Sequence, residues 1–510
     1  MALAGKGRGA SHSHSHYEED ISAMAGPSSE TTPLLGRSSS PETMEGKRTT
    51  QYLGAVTVCL SAMAVGSTMG WTSAADSLKN KTHDFHITEE EFAWVGAFLS
   101  IGAIFGAIPL GFLANVIGRK MVIIALAPAM TAGYLLLAFA NSLAMLYVAR
   151  FILGAVTGAY CVVAPMYTAE ISENSIRGVL GSYFQLLITS GILFVYALNA
   201  CGVSLMAINI TCACIPVVMG VLVFFFYDTP VWYLSKGRSE DARKSLQFFR
   251  GTDNVENELT AIQEGIEERK RSKVKFTEAF STREAKMGLF LALSVMLFQQ
   301  FSGINAVIFY SKQIFDAAHA GIESNLSTVI VGVCQILATY VSTLMIDRLG
   351  RRLLLIFSGA MMALSGALLG VYFYIQETGD ASSIGWLPIT CMVVFIIVFS
   401  LGYGPIPWLY MSEVFSDQIK ETAMSIATVV NWVAVFVVTK FYSDLVNSVH
   451  TYGTFWIFTI ISIIGCFFTF FCVVETKGKD ISEVLAELRG RRANSNVVHH
   501  EKQANGGERF

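Results

Sequence analysis

The sequence predicts an all-α membrane protein in which twelve transmembrane helices form two bundles of six, with both termini in the cytosol. Of the 510 residues, 53% are hydrophobic and only 15% are charged, whereas soluble domains have about 25% charged residues. The charges are missing from long segments that match a bilayer-spanning helix, and two motifs recur in the two halves. A soluble enzyme is therefore excluded, and the net charge of -3 offers no basic surface for nucleic acid.

Twelve apolar segments reach the length of about 20 residues that a helix needs to cross the hydrocarbon core. The uncharged stretch 178–227 is long enough for two helices and divides at Cys201-Gly202. The predicted spans are 51–72, 92–114, 121–140, 143–169, 178–200, 204–227, 287–311, 325–346, 353–376, 387–411, 421–443 and 452–474. The lipid bilayer is therefore the first predicted partner.

A charged segment separates the first six spans from the last six. The predicted domains are a disordered cytoplasmic tail at 1–50, a bundle at 51–227, a cytoplasmic helical linker at 228–286, a second bundle at 287–474 and a cytoplasmic tail at 475–510. This topology leaves all but five of the 36 Lys and Arg residues in the cytosol, as the positive-inside rule requires. The five exceptions are Lys79, Lys81, Arg150, Lys312 and Lys440.

Two motifs recur at equivalent positions in both halves. The first motif is Gly-Arg-Lys at 118–120 after the second span and Gly-Arg-Arg at 350–352 after the eighth. The second motif places a cation seven residues after a glutamate, in Glu170 with Arg177 and in Glu413 with Lys420. Two unrelated motifs in the same order indicate a duplicated six-helix unit.

Seven short stretches in this order carry a family resemblance. They are Gly-Arg-Lys at 118–120, Arg-Phe-Ile-Leu-Gly at 150–154, Pro-Met-Tyr-Thr-Ala-Glu at 165–170, Gln-Gln-Phe-Ser-Gly-Ile-Asn at 299–305, Gly-Arg-Arg at 350–352, Gly-Pro-Ile-Pro-Trp at 404–408 and Glu-Thr-Lys-Gly at 475–478. Across 51–490 the chain resembles the sugar porter family of the major facilitator superfamily. Within that family it is similar to animal facilitative glucose transporters, especially their dileucine-bearing intracellular branch, and to insect trehalose transporters. The resemblance implies a monomer with the major facilitator fold that moves a small sugar.

Three carboxamide side chains stand out in the seventh span, at Gln299, Gln300 and Asn305. On a continuous helix Gln300 and Asn305 would lie about 140° apart and could not face one ligand. Ser302-Gly303 between them predicts a break in the helix, which is how transporters aim polar groups at a midplane substrate. Carboxamides both donate and accept hydrogen bonds and so suit sugar hydroxyls. The alternative is that these residues join neighbouring helices.

The resemblance implies five further sugar-contacting positions. They are Gln185, Gln335, Trp408, Asn431 and Trp432. The family has asparagine at the position of Gln335, and several plasma-membrane relatives have glutamate at the position of Ser400. The alternative for the two tryptophans is membrane-interface anchoring or packing.

Charged residues at the inner helix ends form a second predicted group, which the resemblance interprets as a gate of salt bridges that join the bundles when the cavity opens outward. The group is Arg119, Glu170, Arg177, Arg348, Arg351, Glu413 and Lys420. Simple positive-inside topology would explain the cations but not the two glutamates. One departure weakens the resemblance here, because Val231 stands where the family has an arginine.

The spans have no carboxylate or histidine near the midplane, and Thr72 occupies the position where proton-coupled members carry aspartate. A proton therefore has no binding group, and we expect facilitated diffusion of a sugar, with a hexose such as glucose first. The alternatives are a trehalose facilitator, a proton-coupled transporter and a sensor that binds sugar without moving it. Because no Walker loop, zinc-ligand spacing or nucleophile elbow occurs, we expect no enzyme activity, cofactor or metal.

The N-terminal tail contains an acidic dileucine pattern, Glu30 with Leu34 and Leu35. Clathrin adaptors bind this kind of pattern, so we expect an adaptor partner and residence in the plasma membrane, in endosomes and lysosomes, or in both. Asn80 and Asn325 begin glycosylation sequons in predicted outward loops. A third sequon, at Asn209, falls inside the sixth span and is expected to stay unmodified.

Overall fold

The structure is a computed structural model that describes residues 48–79, 86–173, 175–271, 282–318, 323–415, 419–479 and 481–490. All regular secondary structure in these ranges is helical. The predicted sorting residues Glu30, Leu34 and Leu35 and the sequon residue Asn80 lie outside the described residues.

Six long helices form the first half of the described chain. They are α1 (Thr49–Ala74), α2 (Glu89–Ile117), α3 (Arg119–Ala138), α4 (Leu143–Ile171), α5 (Arg177–Ala200) and α6 (Leu205–Phe224). Each contains most of one predicted span, with differences of a few residues at the ends.

Three shorter helices follow the first half. They are α7 (Pro230–Ser235), α8 (Ser239–Arg250) and α9 (Glu256–Arg271). Apolar side chains from these helices, including Leu234, Leu246 and Leu259, form a small core of their own. Arg250, only 5% exposed, donates from Nη1 to the carbonyl oxygen of Ile171 at 2.7 Å. This contact attaches the three helices to the end of α4.

The second half contains interrupted helices as well as continuous ones. They are α10 (Arg283–Phe301), α11 (Ile304–Phe309), α12 (Ser311–Ala318), α13 (Ser324–Leu349), α14 (Arg351–Thr378), α15 (Leu387–Leu401), α16 (Ile406–Glu413), α17 (Lys420–Cys472) and α18 (Ile481–Gly490). The predicted seventh span corresponds to α10 with α11, and the predicted tenth span to α15 with α16.

Eleven segments of the described chain are long and apolar enough to cross a membrane. The last of them, Ala423–Cys472, has 50 residues and is about twice as long as one crossing requires. Its backbone leaves the helical conformation at Val449 and His450. The count of twelve spans remains a prediction, and this kink fits it.

Close packing of α2 against α4 depends on reciprocal glycines. A Cβ atom at Gly102 would overlap the carbonyl oxygen of Phe151, and one at Gly154 would overlap that of Leu99. Glycine at both positions lets the two backbones touch, which is how helices associate where lipid replaces water.

Candidate substrate site and gates

The predicted break in the seventh span is present between α10 and α11. Gly303 has a φ of +92°, a conformation that side-chain-bearing residues rarely adopt. A Cβ atom there would also lie 2.5 Å from the ring of Phe458. The Ser302 hydroxyl donates to the carbonyl oxygen of Gln299 at 2.7 Å, which ends α10. The sequence Ser-Gly therefore breaks the helix by sterics and by local hydrogen bonding.

Because of this break, four carboxamides meet in a buried group, here called the carboxamide cluster: Gln299, Gln300, Asn305 and Asn431. Nε2 of Gln300 donates to Oδ1 of Asn431 at 2.5 Å and to Oε1 of Gln299 at 3.2 Å. Nδ2 of Asn305 donates to Oε1 of Gln300. All four side chains are at most 6% exposed. These hydrogen bonds pair carboxamide donors with carboxamide acceptors, and each carboxamide is chemically able to exchange its partner for a sugar hydroxyl.

Gln299 has a second set of contacts that the sequence did not indicate. Its Nε2 donates to the carbonyl oxygens of Tyr403 and Gly404 at 2.5 and 2.9 Å. These carbonyls belong to the break between α15 and α16, where the helical hydrogen bonds are interrupted. Gln299 thus joins the two broken helices and positions the cluster between them.

The other predicted sugar-contacting residues lie apart from the cluster's hydrogen bonds. Trp432 is 4% exposed and packs across the two halves, against residues of α2 and α4. Gln335 is buried in α13, while Trp408 in α16 and Gln185 in α5 are half-buried. Among the described contacts, none of these four side chains hydrogen-bonds to the carboxamide cluster.

The charges at the predicted cytoplasmic ends pair within each half in this structure, and the salt bridges between the bundles that are expected when the cavity opens outward stay a prediction. Nη2 of Arg119 lies 2.9 Å from Oε1 of Glu170, on the adjacent helices α3 and α4. Nη2 of Arg351 lies 2.9 Å from Oε1 of Glu413, on α14 and α16. Both pairs are largely buried, and removing one partner would leave an uncompensated charge.

The remaining predicted gate residues do not join these pairs. Arg177 donates to the carbonyl oxygen of Ser172 at 3.5 Å, within its own half. The backbone carbonyl of Arg348 accepts from Nζ of Lys477 at 2.6 Å. The side chain of Lys420 lies outside the described residues.

A threonine and a carboxylate complete the charge pair in the first half. The Thr229 hydroxyl donates to Oε2 of Glu170 at 2.5 Å. The preceding residue, Asp228, accepts from the backbone N–H of Lys120 at 3.2 Å, at the start of α3. A carboxylate at a helix N-terminus is stabilised by the unpaired N–H groups and the helix dipole. Burial nevertheless dominates and raises the pKa of Asp228 above its ordinary value.

The second half repeats this arrangement at equivalent positions. The Thr476 hydroxyl donates to Oε2 of Glu413 at 2.5 Å, and Glu475 accepts from the backbone N–H groups of Arg351 and Arg352 at 2.9 and 3.0 Å. Burial raises the pKa of Glu475, but hydrogen bonds from four backbone N–H groups outweigh it and hold the pKa below its ordinary value. The sequence analysis did not assign these four residues to the charged group. The signal that could have found them is the recurrence of an acidic residue followed by threonine, at Asp228-Thr229 after the sixth span and at Glu475-Thr476 after the twelfth.

The halves are joined at the opposite end, which is predicted to face outward. Nε2 of Gln313 donates to Oδ1 of Asp76 at 2.9 Å, and the backbone N–H of Lys312 donates to the Ser73 hydroxyl at 3.2 Å. The Tyr196 hydroxyl donates to the carbonyl oxygen of Ile308 at 2.6 Å. Among the described residues, all hydrogen bonds and ion pairs between the two halves lie at this end. The outer end is closed in this structure.

Another hydrogen bond between the halves involves a sequon residue, Asn325. Asn325 is the second residue of α13 rather than part of a loop, which corrects its predicted location, and its Oδ1 accepts from Nδ2 of Asn199 at 3.0 Å. Asn209 is 1% exposed in α6 and accepts from Nε1 of Trp71 at 2.6 Å. Glycosylation of Asn325 stays a prediction.

Residues 48–488 match the family described as "Sugar (and other) transporter". The chain belongs to this family. A facilitated trehalose transporter from Apis mellifera ligustica is 38% identical over 449 residues, which cover 87% of this chain and 89% of the relative. The corresponding transporter from Aedes aegypti is also 38% identical, and the match covers 55% of its length. This sugar transporter is a multi-pass membrane protein and not an enzyme.

The solved structure of the E. coli xylose transporter XylE, in a partially occluded inward-open conformation, has the same fold. It superposes with a TM-score of 0.73 at 22% identity, covering 84% of this chain and 99% of XylE. The predicted major facilitator fold is confirmed.

A buried arginine organises the first half of the transporter. Arg150 is fully buried, and it donates to the carbonyl oxygens of Thr68 and Val95 at 2.8 and 3.1 Å and to the Thr72 hydroxyl at 3.0 Å. The ring of Trp71 lies 4.9 Å from its guanidinium carbon. Neutral oxygens and an aromatic face thus satisfy this charge, and Thr72 cannot exchange a proton with it.

Proposed function

We propose that this transporter carries trehalose or its monosaccharide unit, glucose, down a concentration gradient, with the carboxamide cluster as the centre of the substrate site. The observation that carries the proposal is the position of the cluster, buried between the two helix breaks and made of neutral groups. Relatives 38% identical to this chain are named facilitated trehalose transporters, which places trehalose first. Glucose, the hexose expected from the sequence, is the second candidate.

The neutral character of the site supports facilitated diffusion over proton coupling. In the described membrane helices, carboxylates lie in the end turns, as Glu170 and Glu413 do, or near the kink of α17, as Asp444 does. Arg150, which is fully buried in α4, contacts carbonyl and hydroxyl oxygens. Proton-driven transport needs a group that gains and loses a proton during the cycle, and none of these contacts supplies one.

We propose alternating access between the two bundles as the mechanism. The bundles are 51–227 and 287–474, joined by the linker 228–286, and the outer contacts open while the inner ends close. Gln185, Gln335, Trp408 and Trp432 complete the substrate site once the bundles close around the sugar, since each lies in a helix next to the cluster or the seam between halves. The tails 1–50 and 475–510 are cytoplasmic, and the dileucine pattern directs the protein to endosomes and lysosomes through a clathrin adaptor.

Uptake of labelled trehalose and glucose into proteoliposomes tests the proposal. We expect the internal sugar to reach the external concentration and no more, with or without a pH gradient. Accumulation above that concentration under a pH gradient would show proton coupling, and binding without uptake would show a sensor. Either result contradicts facilitated diffusion.

The assigned site is tested by Gln300→Leu. This change removes the donors to Asn431 and the acceptor for Asn305 and should abolish uptake of both sugars. Gln247→Leu, which changes the same residue type in α8, outside the membrane helices, is the matched control and should leave uptake unchanged. Normal uptake by the Gln300 variant would refute the site.

A further inference from the structure

Two buried polar atoms at the seam between α2 and α17 lack hydrogen-bond partners. They are the Ser100 hydroxyl oxygen and Nε1 of Trp432, and neither has a partner among the described residues. Ser100 is fully buried and Trp432 is 4% exposed. A buried donor or acceptor without a partner costs free energy and so calls for an explanation.

Comparable side chains elsewhere in the membrane helices have hydrogen-bond partners. Nε1 of Trp71 donates to Asn209 at 2.6 Å, and Nε1 of Trp456 donates to the carbonyl oxygen of Ala367 at 3.4 Å. The Ser67 hydroxyl donates to the carbonyl oxygen of Met63, one turn before it, at 2.9 Å. Ser100 has the same option within α2 and does not use it.

The two unpartnered atoms lie on opposite halves and face the same seam. The Trp432 ring packs in one cluster with Ala103, Ile104 and Cys161. Ser100 is one helical turn from Ala103 and Ile104 along α2, a separation of about 5 Å along the helix axis. An indole N–H from the second half and, one helical turn along α2, a hydroxyl from the first half therefore both lie where the halves touch.

This seam adjoins the carboxamide cluster. Asn431, which accepts from Gln300, immediately precedes Trp432, and consecutive helical residues point about 100° apart. Asn431 faces α10 while Trp432 faces α2 and α4. A ligand held at the cluster and longer than one sugar ring would reach the seam.

We propose that Ser100 and Trp432 form a second sugar subsite, which binds the second glucosyl ring of trehalose. This inference rests on the proposed function. The Ser100 hydroxyl donates and accepts, and the Trp432 indole donates, so together they match the hydroxyls of a glucosyl ring. Glucose has one ring, which binds at the carboxamide cluster and does not reach Ser100, so Ser100 is a specificity-determining residue for disaccharides.

The test compares transport efficiency, kcat/KM, for trehalose and glucose in the full chain. Ser100→Ala should lower the trehalose-to-glucose ratio roughly three- to tenfold, the effect of one lost uncharged hydrogen bond. Trp432→Phe should lower the ratio in the same direction. The control is Ser61→Ala, because the Ser61 hydroxyl donates within α1, to Val58 at 2.6 Å, and its ratio should not move. An unchanged ratio in the Ser100 variant, or an equal loss in the Ser61 variant, overturns the proposal.

Failure of the proposed function gives a different result. If the wild-type protein carries glucose but neither carries nor binds trehalose, the second subsite is overturned while sugar transport stands. If it carries neither sugar, trehalose binding measured by tryptophan fluorescence still tests the second subsite. Weaker binding by Ser100→Ala than by wild type supports the subsite, and equal binding overturns it.

Discussion

Asp76 is the charged residue that ties the two halves together at the outer end, so Asp76→Ala should open that end. Its carboxylate accepts from Gln313 at 2.9 Å and lies 3.9 Å from Nζ of Lys312; both partners belong to the second half. It also pairs with Lys79 at 2.7 Å, but this pair lies within the first half and persists in either conformation. Only the first two contacts favour the closed state.

The size of the effect follows from those two contacts. A hydrogen bond to a charged group contributes about 1.5–3 kcal/mol, and an ion pair of this length between partly exposed side chains adds at most about 1 kcal/mol. Water replaces part of both interactions when the outer end opens. Asp76→Ala should therefore destabilise the closed state relative to the open state by about 2 kcal/mol. This is about a 30-fold change in the ratio of closed to open molecules.

Trp94 provides a native reporter of this change. Its ring lies 6.3 Å from the ring of Phe436 and 5.1 Å from Nζ of Lys440, both on the other half. Opening removes both neighbours and should shift the emission of Trp94 to longer wavelength in the Asp76 variant. Subtracting the spectrum of the Trp94→Phe protein isolates this signal.

Asp380→Ala is the matched control. Asp380 is exposed and accepts from the backbone N–H of Ser382 at 2.8 Å, within one half. Its removal should leave Trp94 emission unchanged. If Asp76→Ala gives the wild-type spectrum, or if both variants shift equally, the assignment of Asp76 to the outer closure is refuted.

Three further predictions concern the break and the inner ends. Gly303→Ala should lower both transport and the thermal unfolding temperature, since its positive φ and the ring against it exclude a Cβ atom; normal transport would contradict a required break. Thr229→Val and Thr476→Val should each destabilise the protein by about 1.5–3 kcal/mol, the value of one hydrogen bond to a charged group, measured by thermal unfolding in detergent. A loss in only one of them would contradict the equivalence of the halves. Glu475→Gln should destabilise the protein at neutral pH, whereas Asp228→Asn should be neutral or stabilising there, as the same assay across pH would show.

The opposite pKa shifts fix the sign of that last contrast. The folded-state pKa of Glu475 is lowered, so its stabilising contribution is present above its unfolded pKa and is lost as pH falls through the folded pKa. The folded-state pKa of Asp228 is raised, so stability falls as pH rises from its unfolded pKa to its folded pKa. Lowering the pH should therefore destabilise the Glu475→Gln variant less than it destabilises the wild-type protein. Destabilisation of equal size by both substitutions at neutral pH would contradict this interpretation.

Local sequence determined much of the fold and part of the site. Charge-free length located the spans, because a bilayer core excludes charge regardless of tertiary contacts. The Ser302-Gly303 break also followed from local properties, the positive φ of glycine and the capping hydroxyl of serine. Once the break was expected, the meeting of Gln300 with Asn305 followed as well.

Pairing between distant segments could not be predicted in the same way. Glu170 bonds to Arg119 and Thr229, residues far away in the sequence. The role of Gln299 depends on where Tyr403 and Gly404 lie after the second break. Such partners are set by how helices pack, and hydrophobic patterns along one helix do not encode that.

The distribution of contacts suggests how a carrier without an ion gradient can cycle. The inner pairs, Arg119 with Glu170 and Arg351 with Glu413, lie within single halves, so they need not break when the halves move. The contacts that must break are at the outer end, and the neutral ones among them contribute about 0.5–1.5 kcal/mol each. Two states can interchange thermally only when they differ by a few kcal/mol. A buried ion pair between the halves would exceed that range when broken, whereas pairs kept inside each half hold the bundles rigid and leave the balance to weaker outer contacts.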